Sequence, residues 1–524
     1  MTNDLTNDLT NDMTGTAVQN LPPSATARPA RSRRRIWPLL PLGTLAMLFA
    51  VGGRWDIAVA AWVFPVLLLR FTRLSRVWPG ALWIWAAHCA AAVFWVQESA
   101  IGFNAVVSAG ALALAALQTL PFLADRLLTP RLRPVPASLV FPAGVAAVEF
   151  LITVVSPFGT AYGSLAVTQH ADLPLLQVVA VTGPWGVGFL VGHAASTVNR
   201  LWEGASWRSA RACTAVLLSV LLAGGARLAF FPPQSTTVRI AGVTADRTVT
   251  DALDATLARF ADRPGGVAAA PATAVRPAMT AVEDDLLAAT RREAAAGAKI
   301  VIWPEEAVRT READEAAAIA AARRQARSSG VYLEIGVRVY STTAPAFGRD
   351  EAILVDPRGT VLGTYQKAHP IPGSEKYTPG DGHVPVVRTP YGRIASVICY
   401  DADFPALMRV RADMMLVPSH DWRQYGRAHT DKAAVSAVEG GHALIRQDAE
   451  GVSAAYDAEG HVLAASDYFA TDRRDRQTMV AYVPVRGVTT VYDRIGDTFA
   501  WLCLTTLAAL TVTAAVRPRR PADR

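Results

Sequence analysis

The sequence predicts an α-helical membrane bundle of about eight transmembrane helices, which carries a water-facing α/β domain. The first observation is composition: of 524 residues, 51% are hydrophobic and 18% are charged, against about 25% charged in an average soluble domain. The second is distribution, because the apolar excess lies in residues 36–231 and 497–516. The third is the ordinary globular composition of residues 232–496. Together they exclude a single soluble enzyme, a disordered chain and a disulfide scaffold.

Eight segments are apolar and long enough to cross a bilayer, which takes about 20 mostly apolar residues. They lie near residues 36–53, 55–71, 79–97, 104–125, 138–156, 175–198, 212–231 and 497–516. The loops after the second, fourth and sixth segments are rich in arginine, and the loops after the first, third and fifth are poor in it. By the positive-inside rule this alternation places both termini in the cytoplasm and the large domain outside.

The predicted organisation has five parts. They are a disordered cytoplasmic tail (1–35), a bundle of seven helices (36–231), an external catalytic domain (232–496), an eighth transmembrane helix (497–516) and a basic cytoplasmic tail (517–524). The net charge of +7 comes with arginines clustered beside the apolar segments. Because that placement is a topology signal, we predict no binding to nucleic acid.

The external domain alternates strand-like and helical patterns. Residues 238–243, 299–303 and 394–399 are apolar runs typical of buried strands, and residues 314–326 form an alanine-rich helical pattern. This alternation indicates an α/β or mixed sandwich with helices outside. The Ala/Pro/Gly-rich residues 263–277 predict a flexible loop.

Cysteine gives the sharpest chemical signal. Cys89, Cys213 and Cys503 lie in or beside predicted membrane segments, where a thiol packs as a small hydrophobe. Cys399 is alone in the external domain, although that compartment favours disulfides. It ends a predicted strand, where α/β folds present reactive groups. From position alone, Cys399 is either a nucleophile or a buried structural thiol.

Lysine is rare, with four against 47 arginines. Lys367 ends a strand-like run and is either a donor to a developing oxyanion or a solvated surface lysine. Glu305 and Glu306 follow a strand and Pro304, and only one of two neighbours in an extended segment faces a site. Glu375 lies eight residues after Lys367.

Metal and cofactor signals are weak. His420, Asp421 and His429 follow a strand or open a helix, but their spacing does not resemble a zinc site. The sequence has neither a glycine-rich phosphate loop nor a Gly-x-Ser-x-Gly elbow. We therefore predict no metal and no cofactor.

Three motifs, taken in order, carry a family resemblance. WPE at 303–305, KxHxxPxxE at 367–375 and ICY at 398–400 resemble motifs of the nitrilase, or carbon–nitrogen hydrolase, superfamily. The stretch FPAGVAAVEF at 141–150 and the later PFG resemble the bacterial apolipoprotein N-acyltransferases, in which such a domain is inserted between seven helices and one. The resemblance implies a nitrilase-like α-β-β-α sandwich.

The same resemblance assigns roles to site residues. The residues it implies are Glu305 as general base, Lys367 as oxyanion stabiliser, Cys399 as nucleophile, Glu375 as a second supporting glutamate, and Tyr400 and Asp401 as supporting residues. Asp401 stands where the family usually has Glu, and RQDAEG at 446–451 replaces an RxTNxG-like segment. The loop after the first external strand lacks the family's tryptophan.

The implied reaction is a ping-pong acyl transfer. Cys399 takes a fatty acyl chain from a membrane phospholipid as a thioester, and the α-amino group of an apolipoprotein's N-terminal diacylglyceryl-cysteine receives it as an amide. The expected protein is a monomer of the bacterial inner membrane with its catalytic domain on the periplasmic side. The alternatives are a membrane-tethered amidase that uses the same triad and a non-catalytic lipoprotein-binding relative.

Overall fold

Apolar helices occupy most of residues 36–230 in the computed structural model, which describes residues 36–233, 235–470 and 477–516. The tails predicted at 1–35 and 517–524 lie outside the described residues. The helices are α1 (Leu39–Leu48), α2 (Ala58–Leu74), α3 (Val77–Ser99), α4 (Ala105–Leu128), α5 (Pro134–Val155), α6 (Leu173–Leu176), α7 (Val179–Thr182), α8 (Trp185–Trp202) and α9 (Trp207–Phe230). Each of the seven predicted segments overlaps one of the longer helices.

The second part of the chain alternates strands and helices. Its first half contains β1 (Thr237–Val243), α10 (Arg247–Ala258), α11 (Gly266–Ala269), α12 (Ala272–Ala295), β2 (Ile300–Ile302), β3 (Val308–Arg311), α13 (Glu315–Ser329), β4 (Tyr332–Tyr340), β5 (Gly348–Val355) and β6 (Val361–Gln366). Its second half contains β7 (Val386–Thr389), β8 (Gly392–Ser396), α14 (Pro405–Met408), β9 (Met414–Ser419), α15 (Ala428–Gly440), β10 (Ala443–Asp448), β11 (Val452–Tyr456), β12 (Val462–Asp467), β13 (Thr478–Pro484), α16 (Val491–Ile495) and α17 (Thr498–Val516).

Five helices in the described part of the chain have the length and hydropathy needed to cross a membrane. They are Val77–Ser99, Ala105–Arg131, Pro134–Val155, Ala210–Phe230 and Thr498–Val516. The pair Leu173–Thr182 and Trp185–Trp202 would make a sixth span, but it bends by 115° at Gly183 and Pro184. Helix α1 has 10 residues and α2 has 17. A membrane-spanning helical region is therefore present, while the number of eight crossings stays a prediction.

The described strands form two sheets. The first has seven strands in the order β13-β1-β2-β4-β5-β6, with β3 also paired to β4, and the second has six in the order β12-β11-β10-β9-β8-β7. Strands β1, β2 and β4 run parallel, as do β8, β9 and β10. Because the carboxyl ends of parallel strands meet at one edge of a sheet, the segments after β8, β9 and β10 lie together.

The sheets pack face to face. Side chains such as Ile302 from the first sheet and Ile394 and Ile445 from the second form one apolar cluster between them. Leu286 on α12 packs in the cluster that covers the outer face of the first sheet. The second sheet is covered by α15 and by the helical bundle, which share another cluster. Burial on both faces explains why the central strands are nearly continuous apolar runs.

The domain docks on the bundle through the 3₁₀ turn Cys399–Asp403. The Tyr400 hydroxyl donates to the Pro157 carbonyl over 2.9 Å, and the Thr160 N–H donates to the Asp403 carbonyl over 2.8 Å. Gly159 lies between them at φ +52°, and a Cβ there would be 2.4 Å from the Asp403 carbonyl oxygen. Only glycine permits this close approach, which fixes the turn against the membrane part.

Several local predictions are wrong. The predicted loop at 263–277 contains α11 and the start of α12, because its many alanines favour a helix more strongly than Pro277 opposes one. The strand predicted at 394–399 ends at Ser396. Strands β7 and β12 were not predicted, since both are sheet edges whose half-exposed residues do not form a continuous apolar run.

Candidate active site

Glu305 lies in the turn that follows β2. Trp303 anchors this turn, because its buried indole N–H donates to the Thr290 hydroxyl over 2.9 Å. Gly336 on β4 lets the turn approach closely, since a Cβ there would lie 2.8 Å from the Glu305 Cα. Glu305 is 2% exposed and points to Lys367, whereas Glu306, at φ +55°, contacts Arg338 at 3.5 Å. Only Glu305 of the adjacent pair therefore contacts the predicted lysine.

Lys367 follows β6 and joins two carboxylates. Its ammonium donates to Glu305 Oε1 over 2.7 Å and to Glu375 Oε1 over 2.8 Å, and its side chain is fully buried. The other Glu375 oxygen accepts from the Ile371 N–H over 2.8 Å, which orients this carboxylate. Three residues predicted from two separate motifs thus form one hydrogen-bonded cluster.

The electrostatics of the cluster keep the lysine charged. Burial alone would lower the pKa of Lys367, but the negative charges of Glu305 and Glu375 outweigh it and raise that pKa well above its usual range. Buried Asp350 is a third carboxyl at this place. Burial and the charge of Glu305 raise the pKa of Asp350 well above its usual value, which favours its protonated form.

Cys399 begins the 3₁₀ turn, three residues beyond the end of β8. Its φ of +46° lies in the left-handed region, which is uncommon for a residue other than glycine and typical of strained functional turns. The thiol is 1% exposed. Burial and the charge of Glu305 raise the pKa of Cys399 well above its usual range, against the opposing effects of Lys367 and Arg446. The resting thiol therefore keeps its proton and needs a base.

Asp401 supports the loop that carries Lys367. Its carboxylate accepts hydrogen bonds from the Tyr365 hydroxyl (2.8 Å), the Ala368 N–H (2.9 Å) and the His369 N–H (2.8 Å), and it is fully buried. Aspartate is shorter than the glutamate that the family usually has at this position, but its carboxylate still reaches the backbone N–H groups beside Lys367. Tyr400 contacts the bundle through its hydroxyl, as described above.

Arg446 was not predicted as a site residue, although it lies against Cys399. Its Nη2 is 3.7 Å from the Cys399 Sγ, 3.0 Å from Asp421 Oδ2 and 2.8 Å from His429 Nδ1. Ligand atoms of Cys399, Asp421 and His429 lie within 4.8 Å of one another, a spacing that suits a cation. The Arg446 guanidinium is a cation at this place. Two signals were available: the RQDAEG segment begins at Arg446, and Asp421 and Arg446 lie just after and in the second half of neighbouring parallel strands.

Two cavities adjoin the site residues. The first is mainly apolar, and its walls include Trp95, Ile101 and Val107 from the bundle and Ile371, Tyr400, Trp422 and His429 from the domain. The second is more polar and is lined by Glu305, Glu306, Arg309, His420 and Glu450 among others. The first therefore adjoins Tyr400, the residue after Cys399, and the second reaches Glu305.

Known proteins resemble both parts of the chain. The sequence model of the carbon–nitrogen hydrolase family matches residues 267–490, the part that holds the second sheet, all strands of the first sheet except β1, and the Glu–Lys–Cys set. The model of the apolipoprotein N-acyltransferase N-terminal domain matches residues 34–197, within the helical bundle. An amidase from Nesterenkonia sp. superposes with a TM-score of 0.37 at 20% identity, over 49% of this chain and 94% of its own.

Two curated relatives extend over both parts. The apolipoprotein N-acyltransferase of Geobacter metallireducens is 25% identical over 416 residues, which are 71% of each chain. That of Bradyrhizobium diazoefficiens is 27% identical over 424 residues, which are 70% of each chain. The sheet domain thus resembles the carbon–nitrogen hydrolases, and it is joined to a region of apolar helices. Within that superfamily, the two sequence models and the two relatives support an apolipoprotein N-acyltransferase.

Proposed function

We propose that this protein transfers a fatty acyl chain from a membrane phospholipid, through a thioester on Cys399, to the α-amino group of the N-terminal diacylglyceryl-cysteine of apolipoproteins. The observation that carries the proposal is the position of the cluster. A buried cysteine and a Glu–Lys–Glu cluster lie in the sheet domain, and an apolar cavity walled partly by bundle helices ends at Tyr400, Asp421 and His429 beside that cysteine. We propose that the acyl chain enters from this bundle side.

The first half-reaction acylates the enzyme. Glu305 takes the proton from Cys399. The thiolate attacks the ester carbonyl, and Lys367 stabilises the oxyanion of the tetrahedral intermediate. The C–O bond then breaks, the lysophospholipid leaves with the proton held by Glu305, and the acyl group remains as a thioester.

The second half-reaction transfers the acyl group. The neutral α-amine attacks the thioester carbonyl, Glu305 takes the proton that the nitrogen loses, and the oxyanion again faces Lys367. Collapse releases the amide and returns the proton to the sulfur. The raised pKa of Lys367 supports this scheme, because the lysine stays an ammonium through both steps.

The proposed topology has eight crossings, with both termini in the cytoplasm and the catalytic domain on the periplasmic side of the inner membrane. Helices α1 to α5, α8, α9 and α17 overlap the eight predicted segments, which supports that count. The helix–sheet–sheet–helix packing supports the predicted α-β-β-α sandwich. We propose a monomer, with phospholipid as donor and diacylglyceryl-modified apolipoproteins as acceptors.

Intact mass spectrometry of purified protein incubated with phospholipid tests the acylation step. We expect a fatty-acyl adduct that hydroxylamine removes and that Cys399→Ala lacks. Cys89→Ala is the matched control and should keep the adduct, because Cys89 lies on α3 outside the cluster. Absence of an adduct on folded protein contradicts the proposal, and an adduct on the Cys399→Ala variant contradicts the assignment of the nucleophile.

A further inference from the structure

We infer that Arg446 is a catalytic residue whose guanidinium stabilises the Cys399 thiolate, while Lys367 stabilises the oxyanion. The inference rests on the proposed function only in taking Cys399 as the nucleophile. The two fixed cations near the reacting sulfur then stabilise different negative charges: Arg446 the thiolate and Lys367 the oxyanion.

The contacts of the two cations differ. The Lys367 ammonium is engaged by two carboxylates, at 2.7 and 2.8 Å. Arg446 instead directs Nη2 at the Cys399 Sγ, at 3.7 Å, and Nη1 at the Cys399 carbonyl oxygen, at 3.5 Å. One planar group thus contacts both the sulfur and the backbone of the residue held at φ +46°. A lysine could not make both contacts, because its ammonium is a single compact charge.

The guanidinium is held rigidly. Asp421 Oδ2 lies 3.0 Å from Nη2, His429 Nδ1 lies 2.8 Å from it, and Asp448 Oδ2 lies 3.6 Å from Nε. Arg446 is 1% exposed, so water does not screen its charge. The three partners come from β10, from the segment after β9 and from α15, and together they fix the cation before any substrate arrives.

The surrounding charges leave the guanidinium only partly neutralised. Burial and the nearby Asp421 raise the pKa of Asp448 well above its usual range, which favours a neutral Asp448. Asp421 stays ionised, because Arg446 and His429 outweigh its burial and hold its pKa below the usual range. The charges that act most strongly on the Cys399 thiol are those of Glu305, Lys367, Arg446 and Asp421, and the His429 ring also lies within 4.8 Å of its sulfur. Of these, the two cations favour the thiolate.

The consequence is a specific role in proton transfer. When the proton moves from Cys399 to Glu305, negative charge moves from the carboxylate to the sulfur. Arg446 contacts the sulfur and not Glu305, so it favours the thiolate side of this equilibrium. An opposite charge within about 4–6 Å lowers the pKa of an acid by about 1–3, and loss of Arg446 should raise the pKa of the thiol by that amount.

Alkylation of Cys399 tests the inference without any substrate. Full-length protein in detergent is treated with iodoacetamide over a range of pH, and modification is read on the peptide that contains Cys399. Arg446→Gln should move the midpoint upward by about 1–3 pH units, and at a fixed pH below the midpoint each pH unit appears as a tenfold slower alkylation. Arg446→Lys keeps the charge and should move the midpoint less.

Asp448→Asn is the matched control, because Asp448 contacts Arg446 but is not among the groups that contact the sulfur. Its midpoint should stay within about half a pH unit of the parent protein, as expected for a carboxyl that is already neutral. Arg446→Gln leaves buried Asp421 with His429 as its remaining ion-pair partner, so the double variant Arg446→Gln/Asp421→Asn guards against misfolding. The double variant should show a smaller upward movement of the midpoint, since Asp421 itself raises the pKa of the thiol.

An unchanged midpoint in whichever of these two variants folds overturns the inference, because a merely structural arginine would not affect thiol ionisation. Failure of the proposed function is distinguishable. It would appear as a missing fatty-acyl adduct on a parent protein whose alkylation profile still depends on Arg446.

Discussion

Lys367→Met removes the charge at the centre of the cluster and nearly preserves the length of the side chain. In the parent protein the Lys367 ammonium lies 2.7 Å from Glu305 and 2.8 Å from Glu375, with no exposure to water. The variant leaves two carboxylates buried side by side without a cation. Removal of one partner from a buried ion pair costs about 3–5 kcal/mol, because the remaining charge is uncompensated.

The loss of stability in Lys367→Met should be larger at high pH than at low pH. Without the ammonium, burial and the charge of Glu305 raise the folded-state pKa of Glu375 further, and the variant relieves the repulsion by taking up a proton. A raised folded pKa of an acid contributes stability below the unfolded pKa and loses it as the pH rises. The free energy of unfolding of the variant should therefore be about 3–5 kcal/mol lower than that of the parent at pH 8. At pH 5 the difference in free energy of unfolding should be smaller, because raising a pKa by one unit corresponds to about 1.4 kcal/mol.

Denaturant titrations in mixed micelles at the two pH values measure this effect. Exposed Lys376→Met is the matched control and should change the free energy of unfolding by at most about 0.5 kcal/mol. The variant should also form the acyl adduct at least about 100-fold more slowly, since it lacks the oxyanion donor. A Lys367→Met protein as stable as Lys376→Met at pH 8, or a deficit that grows toward pH 5, refutes the reasoning.

Three further predictions concern the same cluster. Lys367→Arg should slow acyl-adduct formation by at least about 100-fold in mass spectrometry, because a planar fork cannot occupy the ammonium position; retained turnover would remove Lys367 from its role. Asp350→Asn should match the parent near pH 4 and be increasingly more stable toward pH 8 in denaturant titrations, because the raised pKa of Asp350 makes its contribution to stability decline with rising pH; a loss of stability at pH 8 would contradict a protonated Asp350. Asp401→Asn should cost about 1–3 kcal/mol in the same titrations, since an amide donor would face N–H groups; an unchanged free energy would mean that these bonds do not support the loop.

Much of the site could be predicted from the sequence because its groups lie in short motifs. Glu305 and Lys367 each follow or end a strand-like run, Glu375 lies eight residues after Lys367, and the structure brings the three side chains within hydrogen-bond distance. Their catalytic roles stay predictions. The division into an apolar helical part and a sheet domain could also be predicted, because composition differs so strongly between the two.

Arg446 could not be found in this way. Its contact with Cys399 depends on β8, β9 and β10 being adjacent and parallel, and strand order is not visible in local patterns. The edge strands and the start of the helix over residues 272–295 were missed for a related reason. Partial exposure weakens an apolar pattern at a sheet edge, and tertiary packing stabilises a helix that Pro277 alone would argue against.

Single-turnover transfer tests the central claim most directly. Purified acyl-enzyme, freed from phospholipid, is mixed with a diacylglyceryl-cysteine lipopeptide whose amine is either free or acetylated, and the products are read by mass spectrometry. Acyl transfer predicts loss of the adduct together with stoichiometric N-acyl lipopeptide, and only with the free amine. Loss of the adduct as free fatty acid, at the same rate with both peptides, would contradict transfer and identify water as the acceptor.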